Sequence, residues 1–301
     1  MKNYYKQCNI CPRGCGVDRG STFGLCRSGA KPTVSRVSRH MYEEPAICGK
    51  RGAGTVFFSG CNLGCVFCQN SAISRKSTGK EFDTDELAEL FLTVAESGVS
   101  SLDLVTPTHF TPTVAAALAL VKDRLTIPVV WNSGGYESVE SLKMLRGLVD
   151  IYLPDFKYYS PELAAKYSHA ADYRERAEEA LLFMYDMLGS PKFDESGMMQ
   201  KGIIVRHLVL PGCRSDSIAC LRRLAELIPV SDIKLSLMSQ YTPDFYTGDD
   251  KNLRRRLTTF EYESVLSEAL RLGFDGYMQS PSSASASYTP DFSDVFSVDL
   301  T

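Results

Sequence analysis

The sequence predicts an α/β fold in which helices cover a mainly parallel sheet. From about Thr55 onward, six apolar, strand-like runs alternate with stretches of helical periodicity. Six such βα units predict right-handed crossovers in either an open doubly wound sheet or a barrel. The chain has 301 residues, which suits one large domain of barrel size, and no repeat or proline-rich linker divides it.

The predicted strands are short, apolar and bounded by turn residues. They are TVFFSG (55–60), SLDLVTP (101–107), PVVWNSG (128–134), DIYLPDF (150–156), GIIVRHLVLPG (202–212) and IKLSLMSQY (233–241). Helical periodicity is found between them at residues 84–98, 113–123, 138–147, 171–189 and 216–228. The first of these helices is expected to begin after an N-cap at Asp83 or Thr84 and to end at Gly98.

Two segments lie outside this pattern and define the predicted domain organisation. Residues 1–50 are rich in cysteine and glycine and are interpreted as a metal-binding N-terminal extension. Residues 51–301 are interpreted as the core with a C-terminal tail. The serine-rich stretch SPSSASASYTP in that tail is expected to be a loop.

Composition and charge exclude several classes of function. With 44% hydrophobic and 23% charged residues the sequence is typical of globular proteins, and no apolar run reaches the roughly 20 residues of a membrane span. The N-terminus lacks the apolar segment of a secretion signal, so a cytoplasmic location is expected. A net charge of −3 argues against a general nucleic-acid binder. The basic stretches LRRRL (253–257) and CLRRL (220–224) are interpreted as solvated helix faces.

The strongest functional signal is a group of three cysteines in the stretch GCNLGCVFCQN (60–70). Eight of the ten cysteines fall within the first 68 residues, and clustered cysteines in a reducing compartment usually bind metal. A [4Fe–4S] cube that is held only by Cys61, Cys65 and Cys68 has one open iron. The loop follows the first predicted strand, at the end where barrel enzymes place their chemistry. The alternatives are a zinc site with a remote fourth ligand and a cluster of buried core cysteines.

The spacing of Cys61, Cys65, Phe67 and Cys68, C-x3-C-x-aromatic-C, resembles the signature of the radical S-adenosylmethionine (radical SAM) superfamily. The resemblance implies a partial (β/α)6 barrel with a Cys-rich N-terminal extension, and a [4Fe–4S] cluster whose open iron binds the amino and carboxylate groups of SAM. It implies that an electron from the reduced cluster cleaves SAM to a 5′-deoxyadenosyl radical, which abstracts hydrogen. Phe67 would lie near the adenine, or else is a core aromatic.

Longer stretches resemble the pyruvate formate-lyase activating enzymes and their relatives. They are EEPAICGKRGAGTVFFSGCNLGCVFCQN, DIYLPDFKY, IIVRHLVLPG and GFDGYMQSP with YTPDF. This resemblance implies hydrogen abstraction from a glycyl radical enzyme, or from another peptide or a small molecule. It also implies an electron donor such as flavodoxin or ferredoxin.

The same resemblance implies which residues bind the cofactor. Asp155 and Lys157 match an Asp-x-Lys at the end of the fourth strand, and Trp131 and Asn132 match positions on the third. Gln240 matches a cofactor contact on the sixth strand. Asp155 and Lys157 lie two apart on a strand and share a face, so a structural ion pair is the alternative.

Two further stretches have open interpretations. Where many relatives carry Gly-Gly-Glu, this chain has TPTHFTP (106–112), in which the backbone carbonyl of Thr106 or Thr108 would accept from the SAM ammonium. His109 is interpreted as a loop histidine, with proton transfer or substrate contact as the alternative. Arg206 and His207 alternate along their strand, so only one faces the lumen. Arg206 is interpreted as a carboxylate contact or a structural salt bridge.

A second cysteine motif, C-x2-C-x3-C-x10-C, precedes the first and consists of Cys8, Cys11, Cys15 and Cys26. Four ligands at short spacing predict a closed site for zinc or for a second iron–sulfur cluster. Activating enzymes with extra clusters carry them after the radical motif, which favours structural zinc here, and metal-free thiols are the third alternative. The remaining cysteines are expected to be small buried residues: Cys48, Cys213 and Cys220.

Two classes of function remain open at this point. The first is a radical SAM enzyme that abstracts hydrogen, with activation of a glycyl radical enzyme as one form of it. The second is a non-catalytic iron–sulfur redox or sensor protein. The open iron favours the enzyme, because an electron carrier gains from closing its cluster with four ligands. No nucleic-acid or membrane partner is expected.

Overall fold

The computed structural model describes residues 4–280 and 290–300, in which helices cover a mostly parallel sheet. The interpretation of the serine-rich stretch as a loop falls on residues 281–289, outside the described part. None of the described helices has both the length and the apolar character that a membrane crossing requires.

The sheet confirms the predicted α/β fold. The described strands are β1 (Thr33–His40), β2 (Ala53–Phe58), β3 (Lys80–Glu81), β4 (Leu102–Val105), β5 (Val129–Ser133), β6 (Ile151–Pro154), β7 (Lys192–Phe193), β8 (Met199–Leu208), β9 (Lys234–Met238), β10 (Gly276–Met278) and β11 (Ser297–Asp299). Their order across the sheet is β10-β9-β8-β6-β5-β4-β2-β1-β11, with β3 and β7 at the side. Every pair between β2 and β10 on this path is parallel, and β1 alone runs antiparallel to β2. All six predicted strands are therefore present.

The described helices are α1 (Pro45–Cys48), α2 (Ser71–Ser74), α3 (Thr84–Glu96), α4 (Thr111–Val121), α5 (Val139–Leu142), α6 (Pro161–Ser168), α7 (Tyr173–Leu188), α8 (Arg214–Leu227) and α9 (Thr259–Leu272). Helix α3 begins as predicted, because Asp83 and Glu86 form a capping box at its N-terminus. Gly98 lies two residues beyond its end with φ of 83°. Helix α5 is shorter than predicted, since a 3-10 turn at Lys143–Leu145 follows it.

The prediction for the basic stretch at residues 253–257 was wrong. This stretch is not helical but lies in turns before α9, although Arg254 and Arg256 are exposed to solvent as expected. Arg255 pairs with Glu261 on α9, and Arg254 pairs with Asp249. The other basic stretch does lie on α8, where Arg222 pairs with Glu268.

The sheet curves around a lumen, since side chains from both of its ends line one cavity of about 410 Å³. Strand residues alternate between lumen and helices: Asn132 lines the cavity, whereas Trp131 packs in the main core. The end of β1 at His40 lies beside the start of β2 at Ala53, because the two strands are antiparallel. The chain that follows β1 therefore enters the lumen from the end opposite to the cysteine loop.

Helix α1 closes the lumen at this opposite end. Its buried residues Ala46, Ile47 and Cys48 pack in one cluster with lumen-facing side chains of the central strands: Ala53, Val130, Ile151, Leu153 and Ile204. Strand β1 and helix α1 both lie within residues 1–50, so the barrel begins inside the segment interpreted as an N-terminal extension. Residues 4–32, by contrast, contain turns and loops and no described strand or helix.

Candidate functional site

The cysteine loop lies at the mouth of the cavity, directly after β2. Cys61, Cys65 and Cys68 all line the cavity, and Cys65 is buried. Each sulfur has a nearby donor, as is usual for thiolates that ligate a cluster. Ser168 Oγ lies 2.9 Å from the Sγ of Cys65, Ser74 Oγ lies 3.5 Å from that of Cys68, and the N–H of Leu63 lies 3.4 Å from that of Cys61.

Two thiols of the loop, those of Cys61 and Cys68, resist ionisation. Burial raises the pKa of Cys61 to about 12, and the neighbouring Cys65 adds to this. Burial also raises the pKa of Cys68, although Lys157 acts in the opposite direction. Metal binding would therefore displace protons from the loop, as it does at thiolate sites in general.

The loop supplies three thiolates to one cavity. Among the described residues, no group of three or more His, Cys, Asp or Glu side chains is placed to hold one metal ion. Three thiolates are the number that leaves one iron of a [4Fe–4S] cube open.

Two arginines hold the loop in place. Arg13, from the N-terminal segment, donates to the carbonyls of Asn62 at 2.7 Å and Ser168 at 2.8 Å, and so ties the loop to the end of α6. Its guanidinium carbon also lies 5.2 Å from the centre of the Tyr136 ring. Arg75 donates to the carbonyl of Cys65 at 3.1 Å. The loop backbone is thus fixed from both sides before any cluster is bound.

A charged network lies below the loop. Arg206 Nε donates to Asp155 Oδ1 at 3.1 Å, and Lys157 Nζ donates to the other oxygen of Asp155. Arg206 Nη2 donates to Asn132 Oδ1 at 2.5 Å, and Asn132 Nδ2 donates to Asp103 Oδ2 at 3.3 Å. The predicted ion pair of Asp155 with Lys157 is therefore present, and both residues also line the cavity.

The pKa values of the acids in this network are shifted in different directions. Burial opposes the charge of Asp155, but Lys157 and Arg206 outweigh it and hold the pKa of Asp155 below its usual value. Burial likewise opposes the charge of Lys157, whose pKa is nevertheless raised by Asp155 and Cys65. Burial raises the pKa of Asp103 well above its usual value. Asp155 is thus the acid of this network that is most firmly ionised.

The stretch after β4 carries backbone strain at the cavity wall. Thr106 lines the cavity and has φ of 60°, a left-handed conformation that β-branched residues rarely adopt. Its N–H donates to the carbonyl of Asn132 at 2.8 Å. Thr108 is buried and donates to Glu137 instead, at 2.7 Å. Of the two threonines considered for the ammonium contact, Thr106 is the one at the cavity.

Neither buried histidine of the site region reaches the cavity. His109 Nε2 lies 2.8 Å from the carbonyl of Ser59, and burial lowers its pKa to about 3. His207 Nδ1 lies 2.6 Å from the carbonyl of Phe156, and burial lowers its pKa to about 4. Both side chains are neutral at pH 7, which supports a structural role over proton transfer.

One wall of the cavity is aromatic and uncharged. Phe67 is buried and packs edge-on against Tyr167 and Tyr241. The centroid of its ring lies 6.4 Å from the ring centroid of each tyrosine. Gln240 Oε1 accepts from Gln279 Nε2 at 2.8 Å, and both side chains line the cavity. This wall offers a ring face and amide groups, the groups that recognise a planar base.

The structure brings all ten core site residues of the sequence analysis to the wall of this one cavity. They are Cys61, Cys65, Phe67, Cys68, Thr106, Asn132, Asp155, Lys157, Arg206 and Gln240. Three further acids were not predicted: Glu43 and Glu44 line the cavity, and Asp103 accepts from Asn132 at the cavity wall. Glu43 and Glu44 belong to the quoted EEPAIC stretch, and a lone aspartate within the apolar run LDLV was the signal for Asp103.

The N-terminal cysteines form a separate group outside the cavity wall. Cys8 and Cys26 are buried. A Cβ at Gly24 would lie 3.2 Å from the Sγ of Cys26 and 3.6 Å from that of Cys15, so these two sulfurs flank one glycine. Burial raises the pKa of Cys11 to about 12, and the other three cysteines are close enough to raise it further. Cys48, Cys213 and Cys220 are each buried, as expected of packing residues.

This chain is similar to one family model and to one protein from another organism. Residues 55–187 match the family model described as Radical SAM superfamily. The chain is also 28% identical over 285 residues to the uncharacterized protein MJ0674 of Methanocaldococcus jannaschii, covering 91% of this chain and 77% of that protein.

Solved structures share the fold at low sequence identity. A radical SAM methyltransferase from Sphaerobacter thermophilus has a TM-score of 0.52 and 12% identity, with 75% of this chain and 65% of that chain covered. HydG, a maturase of the [FeFe]-hydrogenase, has a TM-score of 0.51 and 15% identity, with 85% and 58% covered. SuiB of Streptococcus suis, bound to its precursor peptide SuiA, has a TM-score of 0.51 and 9% identity, with 73% and 46% covered. The chain thus spans about half to two thirds of these proteins. The family match covers residues 55–187, less than half of this chain, and the solved structures show a shared fold.

Proposed function

We propose that this protein is a radical SAM enzyme in which Cys61, Cys65 and Cys68 hold a [4Fe–4S] cluster with one open iron. The observation that carries the proposal is that these are the only cysteines among the described residues lining the cavity. When bound at the reduced cluster, SAM supplies a 5′-deoxyadenosyl radical for hydrogen abstraction. The closed lower end of the lumen suits this chemistry, since it keeps water away from a reactive species.

Different residues of the cavity wall suit different parts of SAM. The carbonyl of Thr106, turned by its left-handed backbone, and the amide of Asn132 suit the methionine end of SAM. Phe67 and Gln240 suit the adenine, because they present a ring and an amide on the same wall. Asp155, held ionised by its two cations, suits a hydroxyl or ammonium donor.

The finer assignment follows the activating enzymes of pyruvate formate-lyase type. In that assignment a glycine loop of a glycyl radical enzyme, or another peptide, reaches the lumen through its mouth. A low-potential electron donor such as flavodoxin or ferredoxin reduces the cluster. The support for this assignment is the resemblance of EEPAICGKRG, DIYLPDFKY and IIVRHLVLPG to that branch, and fold similarity alone does not identify a substrate.

We also propose that Cys8, Cys11, Cys15 and Cys26 bind metal. The four thiols lie within electrostatic reach of one another, and a Cβ at Gly24 would crowd two of the sulfurs. Four thiolates suit either a structural zinc ion or a second iron–sulfur cluster. Metal analysis of a variant that lacks Cys61, Cys65 and Cys68 tests this. About four irons per chain would support the cluster, and one zinc per chain would support a structural ion. A variant that contains neither iron nor zinc would overturn the proposal.

The test of the main proposal is 5′-deoxyadenosine formation by anaerobically reconstituted protein with dithionite and SAM. Cleavage is expected in the wild type and is expected to vanish in Cys65→Ala. The matched control is Cys220→Ala, which removes a fully buried cysteine of α8 far from the cavity wall and should retain cleavage. A wild-type protein with a full cluster and no cleavage would overturn the enzyme and favour the redox or sensor alternative.

A further inference from the structure

The floor of the lumen is acidic, and its position follows from the closing helix. Glu44 is the N-cap residue of α1, and Glu43 precedes it. Because α1 fills the lower lumen with apolar side chains, the two glutamates lie where that apolar plug meets the cavity. Both line the cavity, at the end away from the cysteine loop.

Glu44 has an unused hydrogen-bonding position in this floor. Its side chain accepts from the hydroxyl of Ser236 and is hydrogen-bonded to the side chain of Glu43, and the residue is 7% exposed. Its Oε2 is buried and has no hydrogen-bond partner among the described residues. A buried carboxylate oxygen without a partner has lost its hydration with nothing in exchange. Such an oxygen at a cavity wall is a position for a donor that the chain itself does not supply.

Carboxyl groups outnumber cations around the floor. Four carboxylates face this part of the lumen: Glu43, Glu44, Asp103 and Asp155. Two cations face them: Lys157 binds Asp155, and Arg206 binds Asp155 at 3.1 Å and reaches Glu43 at 3.7 Å. The nearby His40 adds no charge at neutral pH, since burial lowers its pKa. Arg206 also acts electrostatically on Glu44 and Asp103 but forms no salt bridge with either among the described residues. Asp103 Oδ1 has no hydrogen-bond partner there.

We propose that this floor binds a cationic group of the substrate, an ammonium or a guanidinium, with Glu44 as its direct partner. The inference rests on the proposed function, because the floor belongs to the same lumen. A substrate that is anchored there extends towards the mouth, where the three cysteines lie. The substrate class is therefore an amine or guanidine, either free or as a basic side chain of a peptide.

Binding should leave a proton signature. Burial raises the pKa of Glu43, of Glu44 and of Asp103, which favours protons on this group. An entering cation favours the ionised carboxylates and displaces those protons. Calorimetry in two buffers of different ionisation enthalpy then detects proton release at pH 7.

The test compares two probes that differ only in charge, butylguanidine and butylurea, by calorimetry on the anaerobically reconstituted protein. Butylguanidine is expected to bind at least about tenfold more tightly and to release protons, because each charge-assisted hydrogen bond contributes about 1.5–3 kcal/mol. Glu44→Gln should weaken butylguanidine binding on the order of tenfold or more. Glu140→Gln, at an exposed position on α5, is the matched control and should bind as the wild type does.

Three results of the binding comparison would overturn the inference, and a fourth would come from competition with SAM. The three are equal binding of butylurea, no detectable binding of butylguanidine, and a folded Glu44→Gln that binds as tightly as the wild type. If Glu44→Gln does not fold, Glu43→Gln provides the same comparison. Displacement of butylguanidine by SAM would assign the floor to the cofactor and also overturn it. Formation of 5′-deoxyadenosine is measured separately, so cleavage without cation binding rejects only the substrate class, and cation binding without cleavage rejects only the proposed enzyme.

Discussion

The backbone N–H of Cys61 donates to the backbone carbonyl of Cys26 at 3.1 Å. This bond joins the last cysteine of the N-terminal motif to the first cysteine of the cavity loop. The two cysteine groups are therefore neighbours in space, although 35 positions separate these residues in the sequence. Gly60 lies at the junction, where a Cβ would be 2.5 Å from the carbonyl oxygen of Cys26 and 2.2 Å from the Oγ of Ser28.

Gly60→Ala is expected to disrupt this junction. The residue has φ of 79°, so alanine adds backbone strain to the clash, and the stability loss should exceed about 2 kcal/mol. Thermal unfolding and iron content after reconstitution measure the effect. Gly98→Ala is the matched control, because Gly98 has φ of 83° and a Cβ added there would meet no atom within 4 Å. Equal losses in the two variants would contradict the steric argument.

Arg13→Ala is expected to loosen the cluster loop. The substitution removes donors from the carbonyls of Asn62 and Ser168, and charge-assisted hydrogen bonds contribute about 1.5–3 kcal/mol each when buried. Arg13 is only half-buried, so a total loss of about 2 kcal/mol is expected. The reconstituted variant should lose iron to a chelator several-fold faster than the wild type. Arg27 is an exposed arginine of the same segment, and Arg27→Ala should lose iron as slowly as the wild type. Equal rates of iron loss in the two variants would show that Arg13 does not hold the loop.

The left-handed backbone of Thr106 predicts which of two variants, Thr106→Gly and Thr106→Ala, is the more stable. At an ordinary position glycine is less stable than alanine by about 0.4–1 kcal/mol, because glycine has more freedom in the unfolded chain. At φ of 60° the order should reverse, since a left-handed residue with a Cβ costs about 1–2 kcal/mol. Thr106→Gly should therefore be more stable than Thr106→Ala in urea unfolding. The usual order would show that Thr106 is not strained in solution.

The fold was predictable where local signals and periodicity agree. Asp83 and Glu86 form the capping box of α3, and the run before Cys61 is a buried parallel strand. Strand β1 was not predicted, because a register shift between Val34 and Arg36 breaks its alternation of inward and outward residues.

Site residues were predictable where they belong to a sequence motif or to the end of a predicted strand. The ten site residues predicted in this way all line one cavity. The acidic floor was not predictable, since its position depends on the antiparallel pairing of β1 with β2. No local pattern in EEPAIC indicates that Glu43 and Glu44 enter a barrel. The left-handed backbone of Thr106 was equally inaccessible, because threonine is rarely found there and no residue type marks it.

His207 predicts how stability depends on pH. Its pKa is lowered by burial to about 4, whereas an unfolded chain has a histidine pKa of about 6.5. Between these values the unfolded state binds a proton that the folded state does not, so stability rises with pH and is lost as pH falls from 6.5 towards 4.

His207→Asn keeps a donor for the carbonyl of Phe156 but cannot titrate. The difference in unfolding free energy between pH 7 and pH 5 should therefore be smaller in this variant than in the wild type, by about 1–2 kcal/mol. Urea unfolding at both pH values measures it. His169→Asn, at an exposed position, is the matched control that should follow the wild type. If the His207→Asn variant lost as much stability as the wild type on acidification, the buried imidazole would have to take up its proton over the same pH range as an unfolded histidine. His207 would then need an anionic partner at its Nε2, where the described residues supply none.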